Sequence, residues 1–254
     1  MTDWRPRASG EQLQIGETAR AAYAAAADNW RLALDLAWLP FVILALAEVI
    51  ALLLGGGGTI DEALSALVHG IGFIVLGSVF VVRWYRFLLL GETASAAFLP
   101  PGWGGFVLTA IKVGLALLAG YAVLAFLVLL PPHFLTGLLA FLGVIALGFA
   151  AARVSLVFPA AAVERPMTLR RGWDLLEGNY WRLIACLLLC SAPFGIADWL
   201  IDRIGGDLAS PLWFVFEIIG LAVSFAGAAV VSAMMAEVYR DFVPAGAPPA
   251  QPAS

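Results

Sequence analysis

Six long apolar runs decide the architecture before any other feature is read. They lie near Ala33–Leu54, Ala63–Val82, Phe106–Leu130, Phe134–Ala152, Leu183–Ile201 and Leu212–Met235. The hydrocarbon layer of a bilayer is about 30 Å thick and a helix rises about 1.5 Å per residue, so a span needs about 20 apolar residues. Each run meets that length. Breakers separate them: Gly55-Gly56-Gly57-Gly58, Pro100-Pro101-Gly102, Pro131-Pro132 and Gly205-Gly206. Of the 254 residues 62% are hydrophobic and only 13% charged, against about half and about a quarter in a soluble domain. No single soluble core could hide that much apolar surface. The expected fold class is all-α: a polytopic transmembrane helical bundle of six spans, occupying residues 13–242. Residues 1–12 read as a loose tail and the Pro/Ala-rich stretch 243–254 as a disordered one. The first run starts behind a charged, alanine-rich segment and reads as a permanent anchor rather than a cleaved signal.

Arginines set the expected orientation. The N-terminal tail, the 83–105 and 153–182 loops and the C-terminal tail carry Arg5, Arg7, Arg20, Arg31, Arg83, Arg86, Arg153, Arg165, Arg170, Arg171, Arg182 and Arg240. The opposite loops carry only Arg203. Cytoplasmic loops hold the positive excess, so both termini are expected in the cytoplasm. Lys112 lies about two turns into the third span, and its stem can snorkel back to the interface. Trp30, Trp84, Trp103, Trp181, Trp199 and Trp213 fall at span ends. An indole prefers that depth, and these residues read as an interfacial belt rather than a ligand cage.

Two stretches begin alike. Asn29-Trp30-Arg31-Leu32 opens the first span and Asn179-Tyr180-Trp181-Arg182-Leu183 the fifth. Each run then carries a Pro-Phe pair, Pro40-Phe41 and Pro193-Phe194. The returning spans leave through Tyr85-Arg86-Phe87 and Tyr239-Arg240-Asp241-Phe242. Each unit has a helical preface, a span, a glycine-bearing outer loop and a returning span. Such a duplication would be parallel, with its axis along the membrane normal. The third and fourth spans form a hairpin between the units. The plainer alternative is that Trp and Arg favour cytoplasmic boundaries wherever spans begin. In the second preface, Leu169, Gly172, Trp173 and Leu176 recur on one helical face. Thr168 can cap that helix, Arg170 and Asp174 can pair opposite, and Gly178 suits its C-terminal stop. An amphipathic surface helix is expected near 168–177, the alternative being a helix packed on the bundle.

The segment Arg153-Val154-Ser155-Leu156-Val157-Phe158-Pro159 through Glu164 is followed by Leu169-Arg170-Arg171-Gly172-Trp173 and Gly178-Asn179-Tyr180-Trp181-Arg182-Leu183. Together these resemble a six-span bacterial family related to the membrane domain of glycerophosphodiester phosphodiesterases. Arg83-Trp84-Tyr85-Arg86-Phe87-Leu88-Leu89-Leu90-Gly91-Glu92 resembles a second signature of that family. Gly172 departs from it mildly, standing where the family often has Ser. The resemblance implies a bacterial inner-membrane protein. It draws attention to Trp30, Arg31, Trp84, Arg86, Arg153, Trp173, Trp181 and Arg182 as interface motifs. The phosphodiesterase site of the fused proteins belongs to a separate soluble domain, so that activity is not expected here.

Ionisable groups inside spans are costly and draw a functional reading by default. Asp35 lies in the first turn of its span, where capping explains it. Glu48, His69, Asp198 and Glu217 each fall near the outer end of the first, second, fifth or sixth span. They read as a candidate outward-facing polar pocket, against the alternative of unrelated interface residues. Gly220, Ser224, Ala228, Ser232 and Ala236 recur at every fourth position and read as a packing seam. Cys186 and Cys190 read as small packing residues, because only His69 and His133 could join them at a metal. The four glycines at 55–58 lack the Lys-Ser/Thr of a phosphate loop. There is no nucleophile–base pair and no basic-aromatic track for nucleic acid. No cofactor, metal, nucleic-acid partner or catalysis is therefore expected. The expected partners are membrane lipids and another membrane protein or a second copy. The expected role is a scaffold or accessory envelope component. A small transporter is the alternative, motivated by the outer carboxylates, Lys112 and the proline-interrupted first and fifth spans. A lipid-modifying membrane enzyme ranks third.

Overall fold

Backbone polar groups in lipid have no water to bond, so a spanning chain must satisfy them within itself. The computed structural model describes residues 12–54, 59–93, 97–128, 134–205 and 212–243. Within its helices the side chains of 48, 51–54, 59–71, 73, 127–128, 134–136 and 212–214 lie outside that description. Among the described residues every regular element is an α-helix: α1 Ile15–Asp28, α2 Trp30–Leu54, α3 Thr59–Leu90, α4 Trp103–Val128, α5 Phe134–Val154, α6 Val157–Ala162, α7 Leu169–Leu175, α8 Tyr180–Gly205 and α9 Leu212–Phe242. Five stretches are long and apolar enough to cross a membrane: Trp30–Ala47, Trp103–Phe126, Gly137–Ala162, Tyr180–Gly205 and Val215–Phe242. The chain is thus a helical bundle of multi-pass membrane character. The predicted tails 1–12 and 243–254 fall almost wholly outside the described residues. Val243, which is described, is buried and donates its N–H to the Tyr239 carbonyl.

Three hairpins, α2–α3, α4–α5 and α8–α9, pack together with α9 in the middle. From Ala229 to Tyr239, α9 is buried on nearly every side, against α1, α3, α6 and α8. Ser232 and Ala236 of the small-residue seam lie in this stretch. One apolar cluster joins Leu13 just before α1, Leu156 between α5 and α6, Leu183 of α8, and Met234 and Val238 of α9. A second joins Leu36, Phe80, Trp84 and Phe225 between α2, α3 and α9. The α4–α5 hairpin closes on itself through two glycines, Gly120 against Leu147 and Gly143 against Leu124. Its outer surface is left for lipid, and only 6% of the α4 span is buried.

Several boundaries differ from those that hydropathy implies. The second and sixth apolar runs end near 82 and 235, yet α3 and α9 continue helical to Leu90 and Phe242. Hydropathy stops near the first charged residue, Arg83 or Glu237, but packing of Val82, Tyr85, Val238 and Tyr239 in one cluster sustains both helices further. Asp35 does not cap α2. Only Asn29 separates α1 from α2, and Ala33 N–H already bonds the Asn29 carbonyl, which leaves Asp35 exposed in the second turn. Thr168 does cap α7, accepting from Arg171 N–H at 3.2 Å. Gly178 takes φ +78, the left-handed conformation a glycine tolerates. The apolar face of α7 is shared. Gly172 and Leu176 are buried on the bundle, while Leu169 and Trp173 remain partly exposed.

Candidate functional site

The four members of the predicted outer pocket lie on α2, α3, α8 and α9. Asp198 on α8 and Glu217 on α9 are both half-buried. Gly220 makes room for the first: a Cβ there would stand 3.4 Å from Asp198 Oδ1. Glu217 sits three residues before Gly220, on the same side of α9 one turn away. Both carboxylates thus lie on helices that pack against each other, α8 and α9. Glu48 and His69 belong to helices within the bundle, but their side chains lie outside the described residues, as does His133.

The two doorway strings do different work. Asn179 Oδ1 accepts the Leu13 N–H at 2.9 Å, and Arg182 Nη1 donates to the Leu13 carbonyl at 3.1 Å. Leu13 itself is fully buried. The second doorway thus grips the chain just before α1 and docks that helix on α8 and α9. The Tyr23 hydroxyl extends the grip, donating to the Cys190 carbonyl at 3.3 Å, and Cys186 and Cys190 pack beneath it as free, buried thiols. At the first doorway the Asn29 side chain donates to the Ala25 carbonyl of the adjoining α1, and its N–H to that of Ala27. Arg31 there rests over the Trp30 ring at 5.4 Å, and Trp30 is 54% exposed, as a belt tryptophan should be.

Trp84 and Arg86, read from sequence as interface residues, are inside the protein. Trp84 is fully buried, and its indole N–H donates to the Ala229 carbonyl at 2.9 Å. Small residues on α9 let the ring come that close. Arg86 is 8% exposed and anchors five acceptors. Nε and Nη2 grip the Glu92 carboxylate at 2.7 and 2.8 Å. Nη1 reaches Glu164 at 3.0 Å, the Ala162 carbonyl at 3.2 Å and the Pro101 carbonyl at 3.3 Å. Bidentate charge-assisted bonds of this kind are strong and geometrically specific. The bonds to Glu92 push the guanidinium above its ordinary value, against the opposing pull of burial. Gly102 completes the clamp with φ +79, lying against the Ala162 carbonyl. Arg83 ties the same loop through the Ala97 carbonyl at 2.7 Å. The Tyr-Arg exits cross-link too, because Arg240 donates to the Leu88 carbonyl and Tyr85 bonds Ser232. The expectations from sequence missed these roles. In the sequence only its motif marks Arg86, and only the fold brings it to Glu164.

Arg153 lies over the Trp173 ring at 4.1 Å, and Trp181 stands 60% exposed beside it, edge-on to Phe149 at 4.3 Å. Among the described residues, no group of three or more His, Cys, Asp or Glu side chains could hold a metal ion. No protein-family model, curated protein or solved structure matches the chain.

Proposed function

We propose that this is a six-span protein of a bacterial inner membrane, with both termini in the cytoplasm, acting as a non-catalytic scaffold or accessory envelope component in contact with lipid. The observation that carries the reading is where the motif arginines spend their hydrogen bonds. Arg86, Arg182 and Arg240 all donate to backbone carbonyls of neighbouring elements. They hold the cytoplasmic ends of the bundle rather than present a reactive group. The resemblance to the membrane domain of glycerophosphodiester phosphodiesterases points the same way.

The sixth span in this reading is α3. Its 32 residues reach about 48 Å at 1.5 Å each, and it packs between α2 and α9. With α3 crossing, twelve arginines share one side and Arg203 alone lies opposite. Duplication is supported by a constant offset of 154 positions along the returning helices, which pairs Ser78 with Ser232, Tyr85 with Tyr239 and Arg86 with Arg240. Both serines are buried.

A small transporter is the second reading, favoured by Asp198 and Glu217 as half-buried carboxylates on the paired helices α8 and α9. Native mass spectrometry of the full chain, extracted with its surrounding bilayer, tests the first. Stoichiometric retention of lipid or of one further membrane protein is the expected result. Substrate-dependent flux in proteoliposomes, abolished by Glu48→Gln or Glu217→Gln, would move the protein to the transporters. Lipid turnover by the purified chain would make it an enzyme.

A further inference from the structure

We infer that the crevice between the cytoplasmic halves of α5 and α8 is a binding site for one anionic phospholipid, with an acyl chain in the crevice and its phosphate at Arg153. The crevice is a cavity of about 590 Å³, walled by Ile145, Gly148, Phe149 and Ala152 on one side and Trp181 and Leu188 on the other. That volume falls within the roughly 300–1,000 Å³ of small-ligand sites. Its walls are apolar and both belong to candidate membrane spans, so hydrocarbon is what fits there.

The crevice itself is lined by no charged residue, and the nearest cation along α5 follows its lining. Arg153 lies one turn beyond Phe149 on the same side of α5. Its guanidinium is held at 4.1 Å over Trp173 and 5.6 Å from the Tyr180 ring. Among the described residues no carboxylate pairs with it, unlike Arg86 and Arg240. Its Nε is buried and without a hydrogen-bond partner. An arginine fixed in place, stacked on aromatics and lacking a counter-anion is a ready partner for a phosphate, which it can meet bidentately. At the depth where a span meets the cytoplasm, the anion present in quantity is the lipid headgroup.

The site rests on the proposed reading, with the 153–182 segment at the cytoplasmic face. The test reconstitutes the full chain in phosphatidylcholine vesicles carrying a trace of phosphatidylglycerol with a photoreactive acyl chain, and maps the labelled peptides. Labelling concentrated on 145–152 and 184–188 is expected. Gly148→Leu should cut it about tenfold by filling the crevice; a Cβ at Gly148 meets nothing within 4 Å, so the fold should accept the change. Arg153→Gln should cut it about tenfold, as loss of one charge-assisted bond implies, while labelling by a phosphatidylcholine probe stays unchanged. Even labelling of the outer faces of α4, α5 and α8, or equal labelling by both probes, would overturn the site and leave membrane insertion standing. No labelling of any helix would overturn the membrane reading itself.

Discussion

At the scale of single residues, the clamp around Arg86 turns on Gly102. A Cβ there would stand 2.6 Å from the Ala162 carbonyl that Arg86 also bonds, and φ of +79 disfavours any other residue. Gly102→Ala should therefore cost about 1–3 kcal/mol through strained backbone. Gly104→Ala, two residues on with open space around it, should stay within about 0.5 kcal/mol. Thermal midpoints of the two variants in detergent check this, and equal midpoints would remove Gly102 from the clamp. The clamp also shows what sequence could reveal. A Trp and an Arg at a hydropathy boundary look alike whether they face headgroups or protein. Trp30 and Trp181 do stay exposed, whereas Trp84 is fully buried. The difference comes from Ala229 and Glu164, which lie 145 and 78 residues away and are brought close only by the fold.

At the scale of elements, helices were legible and their docking was not. Apolar runs mark the spans because lipid imposes one rule on all of them. Nothing periodic marks Leu13, a lone apolar residue in a polar segment, as the point where the second doorway takes hold. Likewise α6 lay hidden in what reads as a loop, since six residues are too few for a pattern. The Asn179–Leu13 bond predicts how α1 is held. Asn179→Ala would leave a buried N–H without its acceptor, a loss of about 1–3 kcal/mol. Amides of residues 13–22 should then exchange with solvent roughly 5- to 150-fold faster, provided α1 opens locally. Arg31→Ala, at the open first doorway, should leave their exchange unchanged. Protection unaltered in Asn179→Ala would mean that α1 is held by its apolar contacts alone. Of the candidate outer pocket, sequence shows Asp198 and Glu217 as ionisable residues of the paired helices α8 and α9. The space that Gly220 opens for the Asp198 carboxylate follows only from the packing of α8 on α9.

At the scale of the whole molecule, the parity of crossings decides the topology. An odd number of spans puts the termini on opposite sides, and an even number returns the chain to its starting side. The five long apolar stretches do not include α3, whose first turns carry Asp61 and Glu62. If α3 lay outside the bilayer, the segment holding Arg83 and Arg86 would share a side with the end of α2. The arginine excess would then be split between the two faces, against the retention of positive loops in the cytoplasm. Packing argues for crossing as well, since α3 is wedged between α2 and α9 along Phe80 and Trp84. Reporter fusions that are active on one side of the membrane only will decide. Fusions at residue 1, within 92–99, within 164–168 and at residue 254 should all report the cytoplasm. Insertions within 55–58, 131–133 and 206–210 should report the opposite face. A 92–99 fusion reporting the outer face, with the two termini on opposite sides, would establish five spans, leave α3 on the surface and separate the Arg86 clamp from the membrane boundary it is proposed to brace.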